Sequence, residues 1–245
     1  MKLKVIGSSS AGNGYILESD SEALFIEAGL KLSDFKKAIN FDLAKVKGLL
    51  ISHSHGDHAK YVSDFVKNGI RTYASKDTLE QCGLAGNIFT YAVEQGHAYR
   101  IGGFVVQPVT LVHDVTCLGY IIKHEDFGKL FFATDTSCIP YVIPGVNHYM
   151  IEANHAAELV KDNIELGTFF SPSLYRLMDS HMELKETEDF LLKQDLLAAR
   201  NIILIHLSST NSDPVKFKER IEAATGVPTT IAHNDLELKI SLKPF

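Results

Sequence analysis

Residues 53–58 read His-Ser-His-Gly-Asp-His, which places three imidazoles and a carboxylate within six positions. Imidazole nitrogen and carboxylate oxygen together suit zinc, with manganese or iron also possible. In an extended segment, His53 and His55 stand two residues apart and face one side. A turn at Gly56 can then swing Asp57 and His58 toward a second ion. The apolar run just before them, Val46 to Ser52, stops abruptly at this polar cluster, as a buried strand does when it delivers residues to a site. A solvated, His-rich loop is the plain alternative, and the density of ligand types argues against it. The three cysteines, Cys82, Cys117 and Cys138, form no CxxC pair, so no thiolate zinc site and no disulfide framework is expected. Cys117 and Cys138 read as small packing residues.

The elements that must position this cluster can be read from periodicity and punctuation. Residues 3–7, 15–19 and 22–29 read as strands, and 32–39 as a helix with Ser33 as its N-cap. Residues 58–69 read as a helix closed by Asn68-Gly69. From 98 to 134 the pattern is all strand, with segments at 104–112, 117–124 and 129–135 rich in β-branched and aromatic residues. Further strands are expected at 148–154 and 201–209, and helices at 155–166, 171–179, 183–196 and 213–226. The opening GSSSAGNG (7–14) has most of the spacing of a phosphate-cradling loop. It has Asn13 where the phosphate-binding lysine belongs and Gly14 where a magnesium-holding hydroxyl belongs. Asn13-Gly14 before an apolar run is instead a hairpin signal.

With 245 residues, 45% of them hydrophobic, and no linker or repeat, the chain suits one domain spanning 1–245. The formal charge of −6 excludes a generally basic nucleic-acid coat. Apolar runs are strand-sized and none is long enough to span a membrane. The first ten residues read as a strand and not as a signal peptide, so a cytoplasmic location is expected.

The HxHxDH cluster after a hydrophobic strand resembles the signature of the metallo-β-lactamase superfamily. Three further motifs extend the resemblance over nearly the whole chain: PVTLVHDVTCLGY around His113, FFATDT around Asp135 and LIHLSS around His206. The resemblance implies a four-layer αββα sandwich of two mixed sheets flanked by helices, with a dinuclear zinc site (manganese possible) at one edge. His53, His55 and His113 would hold one ion, Asp57, His58 and His206 the second, and Asp135 would bridge them. Asp57 counts with the catalytic residues as well as the ligands. DSHMELKETEDF resembles the histidine motif of the phosphodiesterase branch that includes tRNase Z. There His181 would be a general acid and not a ligand, a role worth ~10²–10⁴-fold in rate. GSSSAGNGYIL, IEANHAAELV and DSHMEL resemble the YycJ-like proteins, described as candidate exonucleases. They also resemble phage-encoded anti-Pycsar phosphodiesterases, homodimers that open cyclic pyrimidine mononucleotides and so counteract host antiviral signalling. The chain lacks the substrate-gripping arm of tRNase Z.

The resemblance implies a nucleotide substrate, and a cyclic mononucleotide is preferred over a polymer, which calls for a basic stripe that the sequence does not display. Candidate substrate contacts are Ser9, Ser10, Asn13, His155, Arg176 and His233. Arg176 is a natural phosphate clamp. Glu152 and His155 either serve His181 and substrate or simply support the site. Asp235 either orients a ligand imidazole or closes a turn. The aromatic-rich segment 165–181 either caps the core or forms a lid or dimer contact. His97, His124 and His148 read as surface residues. A lactone, thioester or β-lactam hydrolase on the same scaffold, and a non-catalytic nucleotide-binding protein, are the competing readings.

Overall fold

The computed structural model describes residues 1–167 and 180–242. The expected helix at 171–179 and the candidate clamp Arg176 lie outside the described residues, as does most of the 165–181 segment.

Two seven-stranded sheets face each other. The first holds β1 (Lys2–Ser9), β2 (Gly12–Glu18), β3 (Ala23–Ile26), β4 (Val46–Leu50), β5 (Thr72–Ala74), β6 (Thr90–Ala92) and β14 (Glu237–Lys239), in the order β14-β1-β2-β3-β4-β5-β6. The second holds β7 (Tyr99–Ile101), β8 (Phe104–Leu111), β9 (Cys117–His124), β10 (Gly128–Ala133), β11 (His148–Glu152), β12 (Asn201–Ile205) and β13 (Thr229–Ile231), in the order β13-β12-β11-β10-β9-β8-β7. Each sheet is mixed. Antiparallel pairing joins β14 to β1, β1 to β2 and β2 to β3, and runs from β7 to β10; parallel pairing runs from β3 to β6 and from β10 to β13. Parallel pairing needs crossovers, and these carry the helices that cover each outer face. Against the first sheet lie α1 (Leu32–Ala38), α2 (Gly56–Ala59), α3 (Val62–Lys67) and α4 (Lys76–Gln81); the second carries α5 (Ala157–Glu165), α6 (Leu184–Leu192) and α7 (Pro214–Thr225). The αββα sandwich expected from the sequence is the observed one.

Strands buried on both faces explain the near-continuous apolar runs. In β3, Leu24 and Ile26 point between the sheets with Leu17, Leu50, Phe132, Met150 and Ile203. Phe25, between them, points outward to Phe35 and Phe65, with ring centroids 5.0 and 6.2 Å away. On the other side Phe131, Tyr149, Ile202, Phe190 and Phe217 fill the space beneath α6 and α7. His124 and His148, expected at the surface, are buried: His124 Nε2 meets Glu22 Oε1 at 3.1 Å, and burial pushes His148 down to about 4. Among the described residues, no helix is long and apolar enough to cross a membrane.

Three local expectations are corrected, each for a tertiary reason. The first hairpin does not turn at Asn13-Gly14. Ser8 pairs with Asn13 and Ser9 with Gly12, so Ser10 and Ala11 form the loop. Asn13 is fully buried, and its amide is drawn inward to the histidines. Second, the helix expected over 58–69 is broken into α2 and α3. The Asp57 carbonyl accepts from Asn13 Nδ2 (3.3 Å), the His58 carbonyl from the Ala28 N–H (2.7 Å), and the Tyr61 N–H donates to the Ala28 carbonyl (2.9 Å). Backbone groups that would have continued one helix are spent on neighbouring loops. Third, Ser33 sits inside α1, and Lys31 holds the cap position without a side-chain bond.

Gly29 lies where these loops close on one another. A Cβ there would stand 1.8 Å from the Asp57 carbonyl oxygen and 2.7 Å from the Asn13 nitrogen. Both obstacles are backbone, so neither can rotate away. Gly29→Ala is therefore expected to cost about 2 kcal/mol or more, a Tm loss of roughly 4–8 °C for a chain of this size, together with reduced metal uptake. Thermal unfolding and metal content check this; a variant unchanged in both would refute the close approach.

Candidate metal centre

The carboxyl ends of β3, β4, β8, β10, β11 and β12, with the tip of the β1–β2 hairpin, meet at one edge of the sandwich. Just past each strand stands a chemically loaded residue: Glu27, His53, His113, Asp135 and His206, with Glu152 the last residue of β11. Glu27, Asp135 and His206 have positive φ (64°, 47° and 55°). That region is uncommon for residues with a Cβ, and here it lets each chain leave its strand while the side chain swings to the edge. The strand expected to run through 201–209 stops at Ile205 for this reason.

His53, His55, His113 and Asp135 offer ligand atoms within 4.8 Å of one another, and so do Asp57, His58, Asp135 and His206. Asp135 belongs to both groups. Its Oδ1 lies 3.1 Å from His58 Nε2 and its Oδ2 lies 3.8 Å from His53 Nε2. Asp57 Oδ2 is 3.2 Å from His58 Nε2 and 3.8 Å from His206 Nε2. The structure thus brings together all seven residues expected to hold metal.

The donor set fits divalent cations by a test internal to the chain. His53 Nε2 is a buried polar atom with no hydrogen-bond partner, a state that is costly unless something binds there. Several rings also have the opposite nitrogen committed. Asn13 Oδ1 lies 3.1 Å from His206 Nδ1, and an amide oxygen only accepts, so Nδ1 carries the proton and Nε2 is left as donor. The Ser180 carbonyl does the same for His113 Nδ1 at 3.1 Å. Glu27 Oε2 faces His58 Nδ1 only at ion-pair distance, 3.5 Å, and Ser52 Oγ stands 2.9 Å from His53 Nδ1. Oxygen partners of this kind fix the tautomer and orientation of metal-binding imidazoles.

The charges are tightly coupled. Burial of Asp135 favours its neutral form, but His206 and His58 hold the carboxyl well below the usual range. Burial likewise opposes a charged His58, yet Asp135, Asp57 and Glu27 push it well above the ordinary imidazole value. Burial, reinforced by His58, pushes His53 well below it. Glu27 is raised by its burial despite His58 and Ser52.

His181 stands at the edge of this cluster, with Nδ1 2.6 Å from Glu152 Oε1 and 3.9 Å from Asp135 Oδ2. Glu152 is fully buried, and its Oε2 accepts from the Thr136 and Met182 N–H groups at 3.1 and 3.2 Å. Burial alone would lower His181, but the Glu152 carboxylate overrides it and the ring is pushed up to about 9.

The residues expected to touch substrate divide. Ser9 and Ser10 lie at the hairpin rim, the first partly exposed and the second exposed. Asn13 is buried behind the histidines, with its amide nitrogen 3.1 Å from His58 Nε2 and its oxygen 3.1 Å from His206 Nδ1. His155 is buried, and burial, then His181, pushes it down to about 4. His233 is exposed and turns Nδ1 to the neighbouring Asn234 carbonyl at 2.9 Å. Asp235 is exposed, in a left-handed turn whose N–H bonds to Val5, and reaches no ligand. Sequence reasoning passed over Glu27, Ser8 and Ser52. Glu27 did leave a signal: it is a lone charge between an apolar strand and Gly29. Ser8 Oγ accepts from the His206 N–H at 2.9 Å.

A four-layer sandwich with a histidine-aspartate cage at the sheet edge defines the metallo-β-lactamase fold. Residues 26–207 match the model described as the beta-lactamase superfamily domain, and the chain belongs to that superfamily as a metal-dependent hydrolase. It is 26% identical over 227 residues to the exodeoxyribonuclease YycJ of Bacillus anthracis, covering 86% of this chain and 84% of that protein. The metallo-β-lactamase fold protein YhfI of Bacillus subtilis superposes with a TM-score of 0.74 at 18% identity, covering 97% and 99% of the two chains. The short form of human tRNase Z superposes at 0.63 with 15% identity, covering 99% and 100%.

A metal ion must displace the proton that its neighbours hold on His58. Metal uptake is therefore expected to release protons near neutral pH. Affinity should fall as pH is lowered, by about tenfold per unit for one displaced proton. Calorimetry in buffers of different ionisation enthalpy measures the release. Glu27→Gln is expected to weaken binding about 10–100-fold.

Proposed function

We propose that the chain is a dinuclear metal phosphodiesterase acting on nucleotides, with zinc as the first candidate and manganese as the second. The observation that carries the reading is the His181–Glu152 pair beside Asp135. Two bound divalent ions would supply Lewis-acid polarisation of a phosphoryl oxygen and a water of lowered pKa. The protein's own contribution is proton delivery. With Nδ1 held by Glu152, His181 keeps its proton through neutral pH. It can give the Nε2 proton to the oxygen that leaves when the P–O bond breaks. Hydrolysis of a thioester, whose thiolate leaves unprotonated, has less need of such an acid than expulsion of an alkoxide from phosphorus, and this favours the phosphodiester reading over a thioesterase.

Two nucleotide classes compete. Among the described residues, Asp114 adds a carboxylate beside the His55–His113 side of the cage, and the chain as a whole carries a formal charge of −6. A long polyanion would find little counter-charge there, which supports a cyclic mononucleotide such as cyclic CMP or cyclic UMP. The exodeoxyribonuclease relative supports the second reading, a DNA strand end. Metal-loaded protein offered cyclic CMP, cyclic UMP and end-labelled single-stranded DNA separates the two; turnover of the DNA alone overturns the first. The proposal extends to a homodimer, which light scattering in solution reads directly.

His181→Ala is expected to lower kcat by about 10²–10⁴-fold with metal content unchanged; undiminished turnover would favour a thioester hydrolase. Glu152→Gln removes the carboxylate that raises His181. The protonated ring is the acid, so activity is lost as pH rises through its pKa. The alkaline limb of the kcat/KM profile should therefore move to lower pH in the variant.

A further inference from the structure

In three of the five imidazoles of the cage an oxygen partner at hydrogen-bond distance fixes the ring: Asn13 serves His206, the Ser180 carbonyl serves His113 and Ser52 serves His53. In the fourth, His58, the buried Glu27 carboxylate stands at ion-pair distance, 3.5 Å, from Nδ1. The side chains of those rings are at most 2% exposed. His55 differs: its side chain is 25% exposed, and it sits just ahead of the short helix α2. Its Nδ1 faces His113 Nε2 at 3.3 Å, which leaves Nε2 turned outward. The carboxylate that meets this outward nitrogen is Asp114, whose Oδ1 lies 3.5 Å away and also 3.0 Å from His113 Nε2. Asp114 is not one of the mutually close ligand groups, so it stands beside the cage and not within it.

We propose that Asp114 is the positioning residue for His55, the counterpart on the His53–His55–His113 side of Glu27 behind His58. The two loops involved are braced to one helix. Thr116 Oγ1 donates to Asp77 Oδ2 on α4 at 2.6 Å, and Ser54 Oγ donates to Gln81 Oε1 on the same helix. The Ser137 N–H holds the Val112 carbonyl just upstream at 3.0 Å. The carboxylate and the ring are thus held in fixed relation by contacts that do not involve either of them. A carboxylate 3.5 Å from Nε2 favours the tautomer that presents Nδ1 inward and raises the basicity of that nitrogen.

The inference rests on the metal-centre reading, and its test separates the two. Metal-free wild type, Asp114→Ala, Asp114→Asn and, as an exposed control, Asp235→Ala are titrated with zinc against a chromophoric chelator and with cobalt(II) by absorption. Wild type should bind two ions. Asp114→Ala should weaken one of them about 10–100-fold and alter one cobalt band set, leaving the other ion within twofold and the Tm unchanged. Asp114→Asn, which keeps an accepting oxygen, should lose less, and Asp235→Ala should match wild type. Affinities within twofold of wild type for both ions in Asp114→Ala would overturn the role of Asp114 and leave the centre standing. Equal weakening of both ions with a lowered Tm would overturn it too, as a general structural effect. A wild type that binds no metal would remove the centre, and this inference with it.

Discussion

Asp135 is an ionised carboxylate buried between two sheets. Taking such a charge out of water costs several kcal/mol unless neighbours answer it. Here the answer comes from His53 and His58, both in the segment that follows β4, and from His206, at the end of β12 in the other sheet. Those rings need orienting oxygens in turn, supplied by Glu27, Ser52 and Asn13. The buried cluster therefore extends outward until it reaches backbone groups, and the geometry of the whole edge follows from satisfying one central charge.

This explains why the loops depart from local rules where they do. Left-handed conformations at Glu27, Asp135 and His206 are each unfavourable by about 1–3 kcal/mol and persist only where the surroundings over-determine them. The broken helix after His55 and the displaced hairpin turn have the same origin. In each case a backbone or amide group serves the cluster in preference to its own secondary structure. The core beneath, two sheets with apolar residues on both faces, is rigid enough to absorb this strain.

Two functions are divided between two kinds of buried carboxylate. Glu27 faces Nδ1 of His58, whose other nitrogen converges on the cage. Glu152 works on His181, which projects to the edge and keeps its proton. The same pairing of acid and ring thus yields a ligand in one place and a proton donor in another. The difference is set by what the free nitrogen faces.

The sequence by itself determined the layers and the ligand types. Apolar runs of strand length, helical spacing between them and the HSHGDH cluster at a strand exit are local patterns, and local patterns survive without knowledge of contacts. Resemblance across the later motifs then pointed to His113, Asp135 and His206, which stand just past the ends of β8, β10 and β12. What only the tertiary structure decided is which polar groups turn inward. Asn13 read as a turn residue and is a buried partner of two histidines. Asp235 read as a possible orienter and faces solvent. Glu27 carried no motif, yet it sits behind His58. Each of these depends on segments far apart in the chain meeting at one edge. The energy that fixes them comes from a buried charge that no single segment contains.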